Sequence, residues 1–267
     1  MKKRATGSKE ALKKRLDSLY RKYHRRDLVH PDPLVFLYNY EDLKDREVVA
    51  LIASSLAYGR VAQIMKSVAA VLDEMGRSPF LFIMNSSSGQ LRRTFKGFRH
   101  RFTTGAELLH MLWAARTAIE RYGSLQECFC AGLGETDETV LSALSGFVSC
   151  LSMGNGECRK GFLPSPDDGS ACKRWHLFLR WMVREDDIDP GGWDRVDRSK
   201  LIIPLDTHMH RIAIGLSLTE RKQPDQRTAL EITRAFSEIH PEDPVRYDFV
   251  LTRFGIRSDM DMRELEG

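Results

Sequence analysis

The chain has 267 residues, of which 42% are hydrophobic, with 41 Lys or Arg against 37 Asp or Glu and a formal net charge of +4. That is enough apolar material for one large domain or two small interlocked ones. No stretch approaches the roughly 18 to 20 uncharged apolar residues of a membrane span, and no apolar signal core follows the basic N-terminus, so the expectation is a soluble cytoplasmic protein that does not enter a membrane. Five cysteines (Cys128, Cys130, Cys150, Cys158 and Cys172) are odd in number and irregularly spaced. They argue against a disulfide framework or a four-cysteine cluster site, and read as small buried thiols in a reducing compartment. Charge is lopsided: residues 1–30 carry eleven Lys or Arg against three acids, a net of +8, which leaves −4 for the remainder. Such an arm suits a polyanion, nucleic acid before an anionic membrane surface, or is simply a solvated helix face.

Apolar residues recur with a 3.6-residue period and few runs alternate, which predicts an all-α protein. Glu10 to Tyr23 carries one apolar stripe, Leu12, Leu16 and Leu19 or Tyr20, and Pro31-Asp32-Pro33 ends that element. A helix from Asp45 to about Leu56 follows, buried and central by its composition, and Tyr58-Gly59-Arg60 breaks it. Val61 to Met75 is the next helix, with Gly76 as its C-cap. A polar loop is expected over Asn85 to Gly89. In Arg92 to Phe102 positive charges alternate with phenylalanines, which fits a nucleic-acid groove using Arg92, Arg93 and Arg99, or a connector anchored to the core by Phe95, Phe98 and Phe102. Gly105 to Arg121 and Glu138 to Cys150 read as helices joined by a Gly-containing linker. Residues 153–170 form a loop dense in Gly, Pro and Asp. Arg227 to Ile239 and Tyr247 to Gly255 supply the last helices.

Two segments carry chemistry. Leu201 to Leu205 is an apolar approach that delivers Asp206 to the start of a helix, and Lys173 sits in the first turn of another helix, 33 positions earlier. An amine and a carboxylate are the minimum kit for Schiff-base chemistry. Asp206 is equally a good N-cap for the segment Thr207-His-Met-His-Arg. On the earlier helix Ala171, Trp175, Phe178 and Met182 form an apolar stripe, while Arg180 and Arg184 lie within about 20° of Lys173 at 100° per residue. That face reads as an exposed basic ridge, for a phosphate backbone or for solvent alone. His176 reads as a surface or capping residue. Asp206, His208 and His210 have the look of metal-ligand spacing, but helical positions two apart diverge by about 200°. No metal or cofactor is expected.

The segment Leu205-Asp-Thr-His-Met-His-Arg-Ile-Ala213, with Pro204 before it and the helix-opening Lys173 upstream, resembles the helix-hairpin-helix DNA glycosylases, and its 33-residue gap is closest to the archaeal 8-oxoguanine branch. The whole chain, including Leu51-Ile-Ala-Ser-Ser-Leu-Ala-Tyr-Gly-Arg-Val61 and Tyr247-Asp-Phe-Val250, also resembles a prokaryotic family of unknown function. The first resemblance implies two helical domains with a cleft between them, residues 1–44 plus 186–267 forming one and 45–185 the other. It implies a monomer that acts on double-stranded DNA containing a damaged base or an abasic site, oxidised guanine being favoured. Lys173 would be the nucleophile, helped by burial or by the cations of Arg174 and Arg180, and Asp206 its carboxylate partner. Gly169, Ser170, Arg174, Arg180 and His208 would join Arg92, Arg93 and Arg99 on the DNA, and Tyr58 or Gln63 would wedge into the duplex or contact the flipped base. The family's Leu-Pro-Gly-x-Gly hairpin is stretched here to Leu163-Pro-Ser-Pro-Asp-Asp-Gly-Ser170, where Asp167 and Asp168 would repel phosphate unless turned away, and no iron–sulfur quartet is present in the C-terminal region. Two rival readings stand beside this one: a DNA-binding relative without catalysis, and a metal-dependent hydrolase using Asp206, His208 and His210.

Overall fold

The computed structural model describes residues 2–152, 161–257 and 259–266. The helices that start at Leu43, Pro79, Ser88, Gly105, Leu125, Thr207 and Gln226 do so where the chain supplies a side-chain cap. After α1 (Lys2–Tyr23), two 3-10 turns at Arg26–Leu28 and Pro33–Asn39 stand where a single break at Pro31-Asp32-Pro33 is expected. Asp42 caps α2 (Leu43–Ser55), and α3 (Val61–Met75) ends at Gly76, whose φ of 71° suits glycine. Serines 78 and 87 cap α4 (Pro79–Asn85) and α5 (Ser88–Thr94), so the expected polar loop shrinks to Ser86 and Ser87. The segment after α5 contains a tight antiparallel hairpin, β1 (Arg99–His100) with β2 (Thr103–Thr104). Phe95 is buried and Phe98 packs on the core, whereas Phe102 is 61% exposed at the hairpin tip.

A capping box of Thr104 and Glu107 opens α6 (Gly105–Tyr122). The linker expected next contains α7 (Leu125–Cys130), too short to show a helical period in the sequence. Its first amides are satisfied from afar: buried Glu47 of α2 accepts from Leu125 and Gln126 at 3.1 and 2.9 Å, and from the Trp193 indole at 2.8 Å. Helix α8 (Leu141–Ser152) follows. Residues 153–160 of the expected Gly/Pro/Asp loop, Cys158 among them, lie outside the described residues, as do the side chains of Lys2, Lys3 and Arg4 in the basic arm. The remaining helices are α9 (Lys173–Val183), α10 (Thr207–Gly215), α11 (Gln226–Ser237), α12 (Asp248–Ile256) and α13 (Arg263–Glu266), the last lying beyond the final helix expected.

Packing is organised around α2 and α9, which lie against each other. Helices α3 and α4 and the 3-10 turn of Pro33–Asn39 also pack on α2, while α10 and α1 pack on α12. The buried side chains form one continuous cluster. Among the described residues no helix is long and apolar enough to cross a membrane. Part of the basic arm is held internally, Lys9 by Glu238 and Lys22 by Glu264. The other described cysteines are free thiols, Cys128 and Cys172 buried, Cys130 and Cys150 half-buried.

Helix α9 departs from the expected basic ridge. Trp175, Phe178 and Met182 are buried as their stripe implies, but so are His176, Arg180 and Arg184, each about 3% exposed or less. The angular relation among Lys173, Arg180 and Arg184 places them on one face as expected, and that face meets carboxylates rather than water. Arg180 binds Asp248 and, at 3.2 Å, Asp189; Arg184 binds Asp189, Asp186 at 2.8 Å and Asp243 at 3.0 Å. Arg180 is therefore not a DNA-contacting cation. His176 is neither a surface nor a capping residue, and burial pushes its pKa down to about 3.

Breaking a buried ion pair on one side strands the other charge, at a cost of about 3–5 kcal/mol. Arg184→Met should lower unfolding free energy in urea by that order, and a change below about 1 kcal/mol would contradict the packing role assigned to this cluster. A different slope tests His176. From its ordinary 6.5 down to about 3, the unfolded chain takes up a proton that the buried ring refuses. Its stabilising contribution is thus present above pH 6.5 and lost as pH falls, by about 1.4 kcal/mol per pH unit. His176→Leu should flatten this part of the acid limb, and parallel stability curves for variant and wild type between pH 7 and pH 4 would count against it.

Candidate active site

The approach to Asp206 is buried from Leu201 to Leu205, and the chain turns there into α10. One oxygen of the carboxylate, Oδ1, accepts from the amides of His208 and Met209, both at 2.9 Å. The other, Oδ2, lies 3.7 Å from Lys173 Nζ. The two side chains retain 23% and 31% exposure, so solvent and ligand can reach them. Asp206 is thus both a helix cap and the lysine's neighbour.

Lys173 is the first residue of α9, and the preceding residue fixes its direction. Cys172 holds a left-handed φ of 47°, a conformation that costs a non-glycine residue about 1–2 kcal/mol. Surrounding contacts impose it: the Cys172 amide donates to Ser170 Oγ at 3.2 Å, and the Trp175 indole donates to the Pro164 carbonyl at 3.0 Å. Burial pushes the Cys172 thiol up to about 11, so it stays protonated beside the lysine and is no competing nucleophile at neutral pH.

The hairpin ahead of α9 forms a 3-10 turn, Pro166–Asp168, closed by Gly169 at a left-handed φ of 73°. Gln226, at the start of α11, ties it down through its amide to the Gly169 carbonyl at 3.1 Å and its side chain to the Pro166 carbonyl at 3.0 Å. Asp167 is turned away onto Ser145, whose hydroxyl donates at 2.8 Å. Asp168, by contrast, lines the cleft.

A cleft of about 1020 Å³ brings these parts together. Its walls come from the α2–α3 turn, the hairpin, the first two turns of α9, the start of α10 and the face of α12. Lys173, Asp206, Gly169, Ser170, Arg174, His208 and Tyr58 all line it. Arg174 spans two neighbouring segments, donating to the carbonyls of Ser55 at 2.8 Å and Gly161 at 2.6 Å, with its guanidinium 5.1 Å from the Tyr58 ring centroid. Arg92, Arg93, Arg99 and Gln63 are exposed and stand outside the cleft wall; Gln63 is hydrogen-bonded to Ser67 Oγ at 3.1 Å.

The cleft floor holds Arg180 together with three groups that the sequence did not single out, Asp32, Asp248 and Arg253. Asp248 and Arg180 reach it from the buried ion cluster, and Arg253 binds Asp32 there at 2.7 Å. Burial pushes the Asp248 carboxyl up to about 6 against the opposing pull of Arg180, and its Oδ1 has no protein hydrogen-bond partner. Burial also pulls on Asp32, but the Arg253 guanidinium overrides it and holds that carboxyl below the ordinary range. The only sequence signals for this floor are the acid opening α12 and the arginine five positions later. His208 and His210 do not converge with Asp206 as a ligand set. The His208 ring packs against Gly255, where a Cβ would lie 2.7 Å from it, and His210 Nε2 is bonded to the Arg221 carbonyl at 2.8 Å. Among the described residues no group of three His, Cys, Asp or Glu side chains could hold a metal.

Residues 32–257 match a family model described as a protein of unknown function, DUF2400. The chain belongs to that family. No curated protein and no solved structure matches it. The matched span includes every cleft residue named above, so the Lys173–Asp206 arrangement lies within the family's own extent.

Capping and chemistry at Asp206 are separable. Asp206→Asn keeps an oxygen for the two amides and should leave stability within about 0.5 kcal/mol, whereas Asp206→Ala removes the cap and should cost about 1 kcal/mol. Thermal unfolding of both variants reads the difference, and equal losses would mean that the cap contributes nothing measurable.

Proposed function

We propose that this protein is a DNA base-excision glycosylase with AP lyase activity, built on a two-lobed helix-hairpin-helix architecture and acting on damaged bases, oxidised guanine first among them. The observation that carries the reading is the 3.7 Å approach of Lys173 Nζ to Asp206 Oδ2 inside an open cleft. Reactive centres of this kind need the target nucleotide outside the duplex, because C1′ of a stacked residue is closed to attack. A volume of about 1020 Å³ is ample for one nucleotide.

The chemistry follows from the two side chains. The neutral Lys173 amine gives its lone pair to C1′ while the C1′–N bond breaks, its electron pair leaving with the base, which is protonated as it departs. Asp206 Oδ2 is placed to accept the proton that Nζ sheds and to stabilise positive charge at the sugar. Opening of the sugar ring, with O4′ taking up a proton, gives an imine between Nζ and C1′. Loss of a C2′ proton then expels the 3′-phosphate. Arg174 follows Lys173 in sequence and stands in the same cleft wall, where its guanidinium is 5.1 Å from the Tyr58 ring centroid. The exposed Arg92, Arg93 and Arg99 would add salt-sensitive affinity for the phosphate backbone.

Borohydride trapping on duplex DNA containing an aldehydic abasic site should give a covalent adduct with wild type and none with Lys173→Gln. Asp206→Asn should slow its formation by roughly 10²–10³-fold. Salt-sensitive binding without any wild-type adduct would overturn the lyase and leave a monofunctional glycosylase or a DNA-binding module.

A further inference from the structure

A clamped hairpin beside the cleft carries the most exposed large hydrophobic side chain among the described residues, Phe102 at 61%. The strands pair Arg99 with Thr104 and His100 with Thr103, so Arg101 and Phe102 form the tip. Every residue beneath that tip is fixed. His100 is fully buried, with Nδ1 2.9 Å from Ser67 Oγ and Nε2 3.0 Å from the Tyr58 carbonyl. The Tyr58 hydroxyl donates to the His100 carbonyl at 2.9 Å and lies 2.7 Å from Thr103 Oγ1. Arg101 adopts a left-handed φ of 52°, and its side chain fills the space that a Cβ on Gly59 would need, 2.6 Å away. Its guanidinium sits 5.9 Å from the Tyr58 ring and 5.6 Å from the Phe102 ring.

Strained backbone persists only where its surroundings over-determine it, and it gathers at functional positions. Here the strained residue, Arg101, directly precedes an aromatic side chain that is largely exposed. Phe102 is flanked by Arg99 and Arg101, both exposed, rather than by other exposed apolar side chains. That setting is poor for a hydrophobic protein interface, which wants a contiguous apolar patch, and good for a nucleic acid, where cations meet phosphates and a rigid ring stacks on bases. The hairpin is also joined to the reactive centre. Tyr58 lines the cleft, and its ring centroid is 5.1 Å from the guanidinium of Arg174, the residue after Lys173, and 5.9 Å from that of Arg101.

We propose that Phe102, held by Arg101, enters the duplex at the target position and occupies the stack vacated by the extruded nucleotide. Tyr58, which with Gln63 was expected to wedge into the duplex or contact the flipped base, is instead the strut that fixes the hairpin to the cleft rim. This assignment rests on the DNA-repair reading above and adds a residue that the sequence resemblance did not supply.

The test uses duplex DNA with a tetrahydrofuran abasic analogue and a neighbouring 2-aminopurine, whose fluorescence rises when it loses its stacking partner. Anisotropy in the same samples gives affinity and ensures that fluorescence is read at saturation. Wild type should raise the fluorescence several-fold. Phe102→Ala should give less than half that gain and bind roughly 5- to 100-fold more weakly, and Phe102→Trp should recover both. Thermal unfolding of each variant checks that the hairpin change has not unfolded the protein. Full gain and full affinity in Phe102→Ala, or a flat signal from saturated wild type, would overturn the wedge. Unstacking by wild type without a borohydride adduct would sink the lyase and keep the wedge, while no duplex binding by wild type would overturn both.

Discussion

Arg180 and Arg184 are the fixed points of this molecule. Two guanidiniums sit among four carboxylates, Asp186, Asp189, Asp243 and Asp248, in a place almost closed to water. Such a cluster adds little net stability over well-packed apolar residues, yet it tolerates few alternative arrangements, because any slip strands a buried charge. It therefore sets how α9 lies against α12 and the turn at Asp186–Asp189. Lys173 stands two turns above Arg180 on the same face of the same helix, so the position of its amine is fixed by that register. The Arg253–Asp32 pair makes a similar connection between α12 and the segment leading to α2.

The cluster also shapes the cleft's charge. In the ion cluster four carboxylates face two guanidiniums, so full ionisation would leave it net negative. Burial pushes Asp248 up to about 6, the effect expected when a surplus carboxylate is confined with its like. Lys173 and Arg174 line the cleft together with the carboxylates of Asp168 and Asp206, so both signs of charge meet in its wall.

Much of this was legible because it rests on local rules. Val61–Met75 could be read from its apolar period and Gly76, and Asp206 from the apolar approach that it ends. The pairing of Lys173 with Asp206 was legible through resemblance, and the geometry agrees with it. The basic ridge failed for a physical reason. Helical arithmetic gives the angle between side chains but not what each face meets, and the carboxylates opposite Arg180 and Arg184 lie as far as 68 positions away in the chain. His176 failed likewise, since its burial is a property of the packed helix pair α2 and α9. Helix α7 was hidden by its length, six residues being too few to show a period, although Ser124 caps it locally by accepting from the Glu127 amide at 3.0 Å. The role of Phe102 depends on a two-residue hairpin for which alternation of charge and aromatics gives no register.

The divided use of the Asp206 carboxylate has one more consequence. Its two oxygens are rigidly coupled, one held by the amides of His208 and Met209 and the other facing Lys173. A change in charge or orientation at the lysine side must therefore be felt at the start of α10, where it alters how often those two amides open to solvent. The backbone of α10 is in effect wired to the Lys173–Asp206 pair, and deuterium uptake at His208 and Met209 becomes a built-in gauge of any change at that pair.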